Sequence, residues 1–350
     1  YYFYIRNPKL KLFNMKKSIL IIIGVFALTL NTKAQDGFEG YILADNNDRS
    51  KLIEAYINPA MKGLIYGMNS GWYHTAKVHK TLGFDISIGF NASVVPEKDE
   101  MFTLSGLSSI NTGTGNSITA ATVGGSENTT PLTTVNFTEG NQTYIKTFNA
   151  PGGVQEDLPL NAVPTPSIQI SLGLPAKFEA SLRLVPKVGS DDVKGSLFGL
   201  GVKKEITDWF GPMEKTPLHV SLLAAYTNMN VDYDIQKNSS ISGSNQAAEF
   251  NLNSFTLQAL ASLNFPVINV YGGVGYSTGS STLKMLGTYN LEYDGGLMRT
   301  VKDPLNTKFN VGGFTTTVGA RLSLGFFKIF GSYSLQEYNT INAGIAFSIR

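Results

Sequence analysis

The 350-residue chain carries only three imidazoles, His74, His79 and His219, and no cysteine. Without thiols it can hold no disulfide, thiolate metal site, cysteine nucleophile or lipid-anchored N-terminal cysteine. His74 and His79 are five residues apart, so on a single strand they would point to opposite faces, and a shared metal is not expected. His219 and Ser221 share a face at i, i+2, the placement of a general base beside a hydroxyl nucleophile. No third group marks that pair, so neither an enzyme nor a cofactor is expected. Gly272-Gly273-Val274-Gly275 has the composition of a phosphate loop, but no helix follows it. Glycine inside a strand more often makes room for a neighbour. What remains is charge spaced along one face: Glu179, Arg183 and Lys187, joined by Asp85, Arg321 and Lys328. Such residues can form ion pairs or a polar gate in an interior.

Composition narrows the setting. Lys and Arg total 28 against 26 Asp and Glu, a net charge of +2, which leaves no basic footprint for nucleic acid. Only 15% of residues are charged, 36 are Gly, and 21 Phe with 16 Tyr supply ample surface to bury. Disorder is therefore not expected.

Met15-Lys16-Lys17 opens a positive stretch, Ser18 to Leu30 is almost free of polar residues, and Thr32 and Ala34 place small residues before Gln35. That is the layout of a secretory signal peptide cleaved after Ala34. As a helix, Ile19 to Leu30 would reach about 18 Å against a hydrocarbon core of ~30 Å, too short to span. Residues 1–14 precede the first Met and read as an upstream extension.

Beyond residue 34 the pattern has period two. Leu82, Phe84, Ile86, Ile88, Phe90, Ala92 and Val94 alternate with Gly83, Asp85, Ser87, Gly89, Asn91 and Ser93. Comparable stripes run through 178–184, 218–226, 255–265, 314–324, 327–335 and 341–349. Strands this long suit a tilted bilayer crossing better than a soluble sandwich, and the second face is rich in Gly, Ser, Asn and Thr, as a lumen would be. The final strand carries Phe347 near its end, like the terminal strand of outer-membrane barrels. Ile88 should then face lipid and Ser87 the lumen, where an arginine should be mild.

Connection lengths alternate as a bacterial barrel requires. Gly325, Phe265-Pro266, Leu174-Pro175-Ala176 and 205–216 fall on one side. The long stretches 233–249 and 284–308 fall on the other. Trp209 and Phe210 in 205–216 predict a short interfacial helix. Nine strands from 166 onward, with 66–77, 81–95 and 101–108, make twelve. The hairpin signal at Thr133–Phe148 raises the preferred count to fourteen, while Ser, Thr, Gly and Asn make 105–130 a flexible loop. Asp45 to Tyr56 predicts a short helix stopped by Pro59.

Tyr56-Ile57-Asn58-Pro59-Ala60-Met61, just ahead of the first strand, resembles a stretch of the FadL-like outer-membrane transporters of hydrophobic compounds. In that family the stretch belongs to an N-terminal hatch closing a 14-stranded barrel. The resemblance makes Asn58, Pro59 and Ala60 candidate hatch or turn residues. Ile57 is inserted, and Met61-Lys62 replaces the family's Gly-Leu. Gly71-Trp72-Tyr73-His74-Thr75-Ala76, Leu197–Lys204 and the terminal strand resemble an uncharacterised family of outer-membrane proteins from Bacteroidota.

The expectation is an all-β chain forming a transmembrane antiparallel β-barrel of 12–14 strands. Residues 1–34 would be extension and signal peptide, 35–65 a hatch segment with a short helix, and 66–350 the barrel in the cell outer membrane. The resemblance implies transport of small hydrophobic molecules, with outer-membrane lipid and a small hydrophobic ligand as partners. The alternative is a structural or docking barrel, sealed by lumen charges, serving a secretion or surface-assembly partner. Apolar groups clustered at the outer end would favour transport, and a salt-bridged lumen the scaffold.

Overall fold

The structure, a computed structural model, describes residue 38 and residues 40–111, 119–190, 193–235 and 241–349. The signal-peptide reading and its cleavage site lie outside the described residues.

Ten antiparallel strands close a ring. They are β1 (Phe84–Val94), β2 (Ala162–Leu174), β3 (Phe178–Gly189), β4 (Val193–Glu205), β5 (Leu218–Asp234), β6 (Gly243–Asn264), β7 (Ile268–Glu292), β8 (Leu305–Leu324), β9 (Phe327–Leu335) and β10 (Thr340–Ile349). Each pairs with its neighbours in order, and β1 pairs with β10 from Phe84↔Ile349 to Ser93↔Thr340, so no edge is left open. Full closure satisfies every ladder internally, the condition for crossing lipid.

Alternation then sorts the two faces. Along β1, Asp85, Ser87 and Asn91 are buried, while Ile86, Ile88 and Phe90 are exposed. The outward face is a belt of aliphatic side chains edged by aromatics. Phe178, Phe265, Phe326 and Phe347 stand near the short turns, and Phe90, Phe198, Tyr226, Phe255, Tyr276 and Phe314 toward the long loops. On β8 the belt runs from Phe314 to Leu324, about 25 Å along the axis at ~3.3 Å per residue and ~40° tilt. That is the height of a lipid-facing band between aromatic girdles. Above it, Tyr226 donates to Asn253 at 2.6 Å, and Asn228, Asn230, Asn251 and Asn253 hydrogen-bond among themselves. The apolar belt ends at that polar ladder. The chain is a transmembrane β-barrel.

Ten strands correct the expected twelve to fourteen. Tyr66 to Asn69 end a helix, and 70–83 is an irregular segment with Gly71 at φ 69°, so 66–77 is no strand. Met101–Thr103 pairs only with Thr119–Ala121, and the hairpin Leu132–Glu139 with Gln142–Asn149 joins only Ile110–Asn111. Because β1 already closes on β2 and β10, neither piece can enter the wall. They form a packed cap over the loop end, with Ala120 and Val135 fully buried. The described part of 105–130 is thus not a free loop.

Helix α1 (Asn46–Asn69) fills the lumen. Asp45 caps it, accepting from the Asp48 amide at 2.8 Å. Pro59 lies inside the helix rather than stopping it, and Asn58 and Ala60 are helical too, so no hatch turn forms there. Proline removes the bond to the Ala55 carbonyl. Ala55 borders a cleft of about 360 Å³ with Lys51, Glu54 and Asn58, where water can satisfy that oxygen. Packing against the wall on the remaining faces outweighs the cost.

The helix leans on β2 through Gly63 and Gly67, one turn apart. A Cβ on Gly63 would stand 2.5 Å from Val163 Cγ2, and one on Gly67 would overlap the Thr165 side chain. Gly67→Val is therefore expected to destabilise the seated plug by about 1–3 kcal/mol through overpacking. Protease cleavage within α1, with the barrel still heat-modifiable, would report it; unchanged resistance would argue against this contact.

Candidate functional site

The lumen is the candidate site, and it holds two chemically different halves. Toward the long loops, Tyr41, Leu52, Ile53 and Tyr56 pack with cap residues Leu104, Val135 and Tyr144 and wall residues Met285, Tyr289 and Tyr293. Lower down, Met61, Leu64 and Ile65 meet Leu197, Leu252, Phe309 and Val311. These apolar groups fill one another's space; the cleft beside Ala55 is lined instead by Lys51, Glu54 and Asn58.

The lower end of α1 is fastened by Arg183 from β3. Its guanidinium donates to the Met68 and Ser70 carbonyls at 3.0 Å each and to Gln169 Oε1 at 3.0 Å, while lying 3.8 Å over the Trp72 ring. A cation at a helix C-terminus also meets the negative end of the dipole. Gln169 completes the lock by donating to the Trp72 carbonyl.

From there 70–83 descends through a charged mouth. Arg321 donates to His74 Nδ1 at 2.9 Å, which fixes the proton on Nε2, and Nε2 donates to Asp85 at 3.0 Å. His79 lies 2.8 Å from Glu179 through Nδ1 and 3.4 Å from Asp85 through Nε2. Glu179 also holds Lys203 at 2.8 Å, and Lys203 reaches the Thr75 and Lys77 carbonyls. Glu205 accepts from the Val78 amide and pairs with His219 at 2.7 Å. Wall charges thus grip plug backbone and plug imidazoles.

Of the residues marked in the sequence, Asp85, Glu179, Arg183 and Arg321 converge on the lumen, and Lys328 sits at its mouth, donating to the Gly325 carbonyl. Lys187 does not join them. A register shift between Val185 and Val188 breaks the alternation, and Lys187 pairs with Asp232 at 2.6 Å on the outer surface. His74 and His79 do not point apart as a strand would require; both reach Asp85, because 70–83 is irregular. Ser221 donates to the Ala76 carbonyl and not to His219, whose partner is Glu205. Trp72, Gln169, Lys203 and Glu205 carry no sequence mark of their role. Among the described residues no cluster of metal-ligating side chains occurs.

At the loop end, Lys62 of α1 holds Glu337 at 2.8 Å beside Tyr66. Burial pushes the Glu337 carboxyl up, but hydrogen bonds and charge from Lys62, Tyr66 and Lys98 outweigh it and hold it below the usual range. Its contribution is therefore complete above the ordinary glutamate value of ~4.3 and lost as pH falls through the lowered one. Acid melting curves of wild type and Glu337→Gln should converge at low pH. A gap that persists there would contradict the ion pair.

Residues 15–349 match a family described as a family of unknown function (DUF6588). No curated protein matches the chain. Solved structures that match the chain include the translocator domain of autotransporter NalP from Neisseria meningitidis, 10% identical over 86% of this chain and 97% of that one, TM-score 0.29. Ail of Yersinia pestis is 9% identical over 76% and 99%, TM-score 0.25. The P. putida toluene transporter TodX is 9% identical over 76% and 89%, TM-score 0.20. With nearly its whole length matched, the chain belongs to the DUF6588 family of unknown function.

Proposed function

We propose that the chain is a sealed barrel of the bacterial outer membrane that holds its cap on the cell exterior as a docking platform for a surface or secretion assembly. The observation that carries this reading is the filled lumen: α1 and 70–83 occupy it from loop end to turn end. Short turns belong on the periplasmic side of such barrels, which puts the cap outside.

Transport of small hydrophobic molecules, implied by the FadL-like resemblance, is the second reading, and the apolar upper lumen favours it. A solute would need that core to open, or the plug to leave the Arg183 lock. Proteoliposomes carrying the folded protein separate the two. Uptake of a long-chain fatty acid and of toluene is expected to equal that of protein-free vesicles. Protein-dependent uptake would instead support transport.

A further inference from the structure

The barrel wall is lopsided. β5, β6, β7 and β8 have 17, 22, 25 and 20 residues, against 11, 9 and 10 for β1, β9 and β10. The four long strands therefore rise past the aromatic girdle at Tyr226, Phe255, Tyr276 and Phe314. Their outward positions above it continue the lipid-facing surface and meet headgroups rather than acyl chains. Those positions line up in register. Asn228, Asn253, Ser280 and Asn310 form one row, and Asn230, Asn251, Thr282 and Lys308 the next. Asparagine is depleted in strands, yet it fills five of these eight places.

Four of the amides close a ring. Asn228 donates to Asn253 at 2.9 Å, Asn253 to Asn251 at 2.8 Å, Asn251 to Asn230, and Asn230 back to Asn228 at 2.7 Å. Each amide has two N–H groups and an oxygen with two lone pairs. With the ring closed, Asn230, Asn251 and Asn253 each keep one N–H, and Asn228, Asn230 and Asn251 each keep one lone pair. Donors and acceptors are thus fixed side by side on a half-buried sheet face, with their rotamer entropy already lost. Neighbouring hydroxyls of a sugar both give and accept hydrogen bonds and match such an array. Beside the ring, Lys308 is exposed and has no ion-pair partner among the described residues. Of the acids on this face, Asp232 pairs with Lys187 at 2.6 Å and Glu249 stands opposite Lys284 in register. Lys308 is left for an anion from outside the chain, and a phosphate suits a lysine.

We propose that this outward face of β5–β8 binds the phosphorylated sugar headgroup of the outer-leaflet glycolipid, the amide ring taking sugar hydroxyls and Lys308 a phosphate. The proposal rests on the orientation given above, with the cap outside, because the outer leaflet is the one built of such glycolipid. The belt directly beneath, ending at Tyr226 and Phe255, receives the acyl chains of the same molecule. A bound glycolipid would thereby become part of the surface that the barrel presents beside its cap.

The full chain is purified in detergent and mixed with bis-phosphorylated lipid A, and bound lipid is counted by native mass spectrometry, heat-modifiability confirming the fold. Wild type is expected to hold lipid A in preference to phosphatidylethanolamine and to lipid A stripped of its phosphates. Lys308→Glu, at an exposed side chain, and Asn251→Ala, which opens the ring, should each weaken lipid A binding about tenfold, the effect of one lost charge-assisted or well-placed hydrogen bond. Lys308→Arg should bind as wild type does. Equal binding by wild type, Lys308→Glu and Asn251→Ala would overturn the proposal and leave a merely solvated face above the belt. Displacement of lipid A by inorganic phosphate would overturn it too, in favour of a free-anion site. Orientation is read separately, because the chain has no native cysteine. Asn128→Cys, exposed in the cap, should react with a membrane-impermeant maleimide on intact cells. Silence there with lipid A binding intact would overturn the orientation alone, and labelling without a lipid A preference the glycolipid site alone.

Discussion

Arg183→Met is expected to release the lower end of the plug while the wall stays closed. The side chain is 1% exposed and satisfies three acceptors, among them the Met68 carbonyl in the last turn of α1 and the carbonyl of its C-cap, Ser70. Removing it leaves those oxygens buried without a donor, at about 1–3 kcal/mol each before water or relaxation intervenes. Over the two carbonyls a net loss of about 2–4 kcal/mol from the plugged state is expected. The ladders of β1–β10 do not depend on Arg183, so the variant should remain heat-modifiable and outer-membrane associated. Proteolysis of 70–83 in detergent should accelerate strongly. Lysine at the same position keeps the charge but not the planar fork, and should rescue only in part. Wild-type proteolysis in Arg183→Met would mean that the guanidinium does not hold the plug.

Ile88→Arg is the second large effect. Ile88 stands 53% exposed in the middle of the apolar belt, where arginine facing lipid costs about 2–4 kcal/mol. Its neighbour Ser87 faces the other way and is 7% exposed. The mild effect expected there from sequence assumed a wet lumen, and the plug removes that space. Ser87→Arg should therefore also destabilise, by about 1–3 kcal/mol of overpacking. The two are distinguished by where the damage falls. Ile88→Arg should lower the yield of inserted barrel with the plug protected, whereas Ser87→Arg should insert and expose α1 to protease. The reverse assignment would contradict the two faces.

The wall was legible because lipid and lumen impose opposite chemistry on alternate residues, and β1, β8 from Phe314 onward, β9 and β10 show that alternation. The nine strands from 166 onward and the strand in 81–95 are the ten observed. Lumen contents were harder to read, since a plug is selected by the wall around it. Tyr66, Met68, Trp72 and His74 alternate as a strand would, yet the first two belong to a helix and the others to an irregular descent. Pro59 carried a strong local stop signal that packing overrode. Lys187 kept the spacing of an inward charge until the irregularity after Val185 turned it outward. Asp85, Glu179, Arg183 and Arg321 were visible as inward charges, but their partners were not. Those partners are backbone carbonyls and imidazoles of 68–79, and hydrogen bonds to backbone leave no trace in residue type.

Occlusion of the lumen by α1 and 70–83 is tested most directly by single-barrel ion conductance of the purified wild-type protein in a planar lipid bilayer. With the fold confirmed by heat-modifiability, no steady conductance above the bare bilayer is expected across a range of voltages. A stable open channel in the wild-type barrel would contradict a lumen filled from end to end.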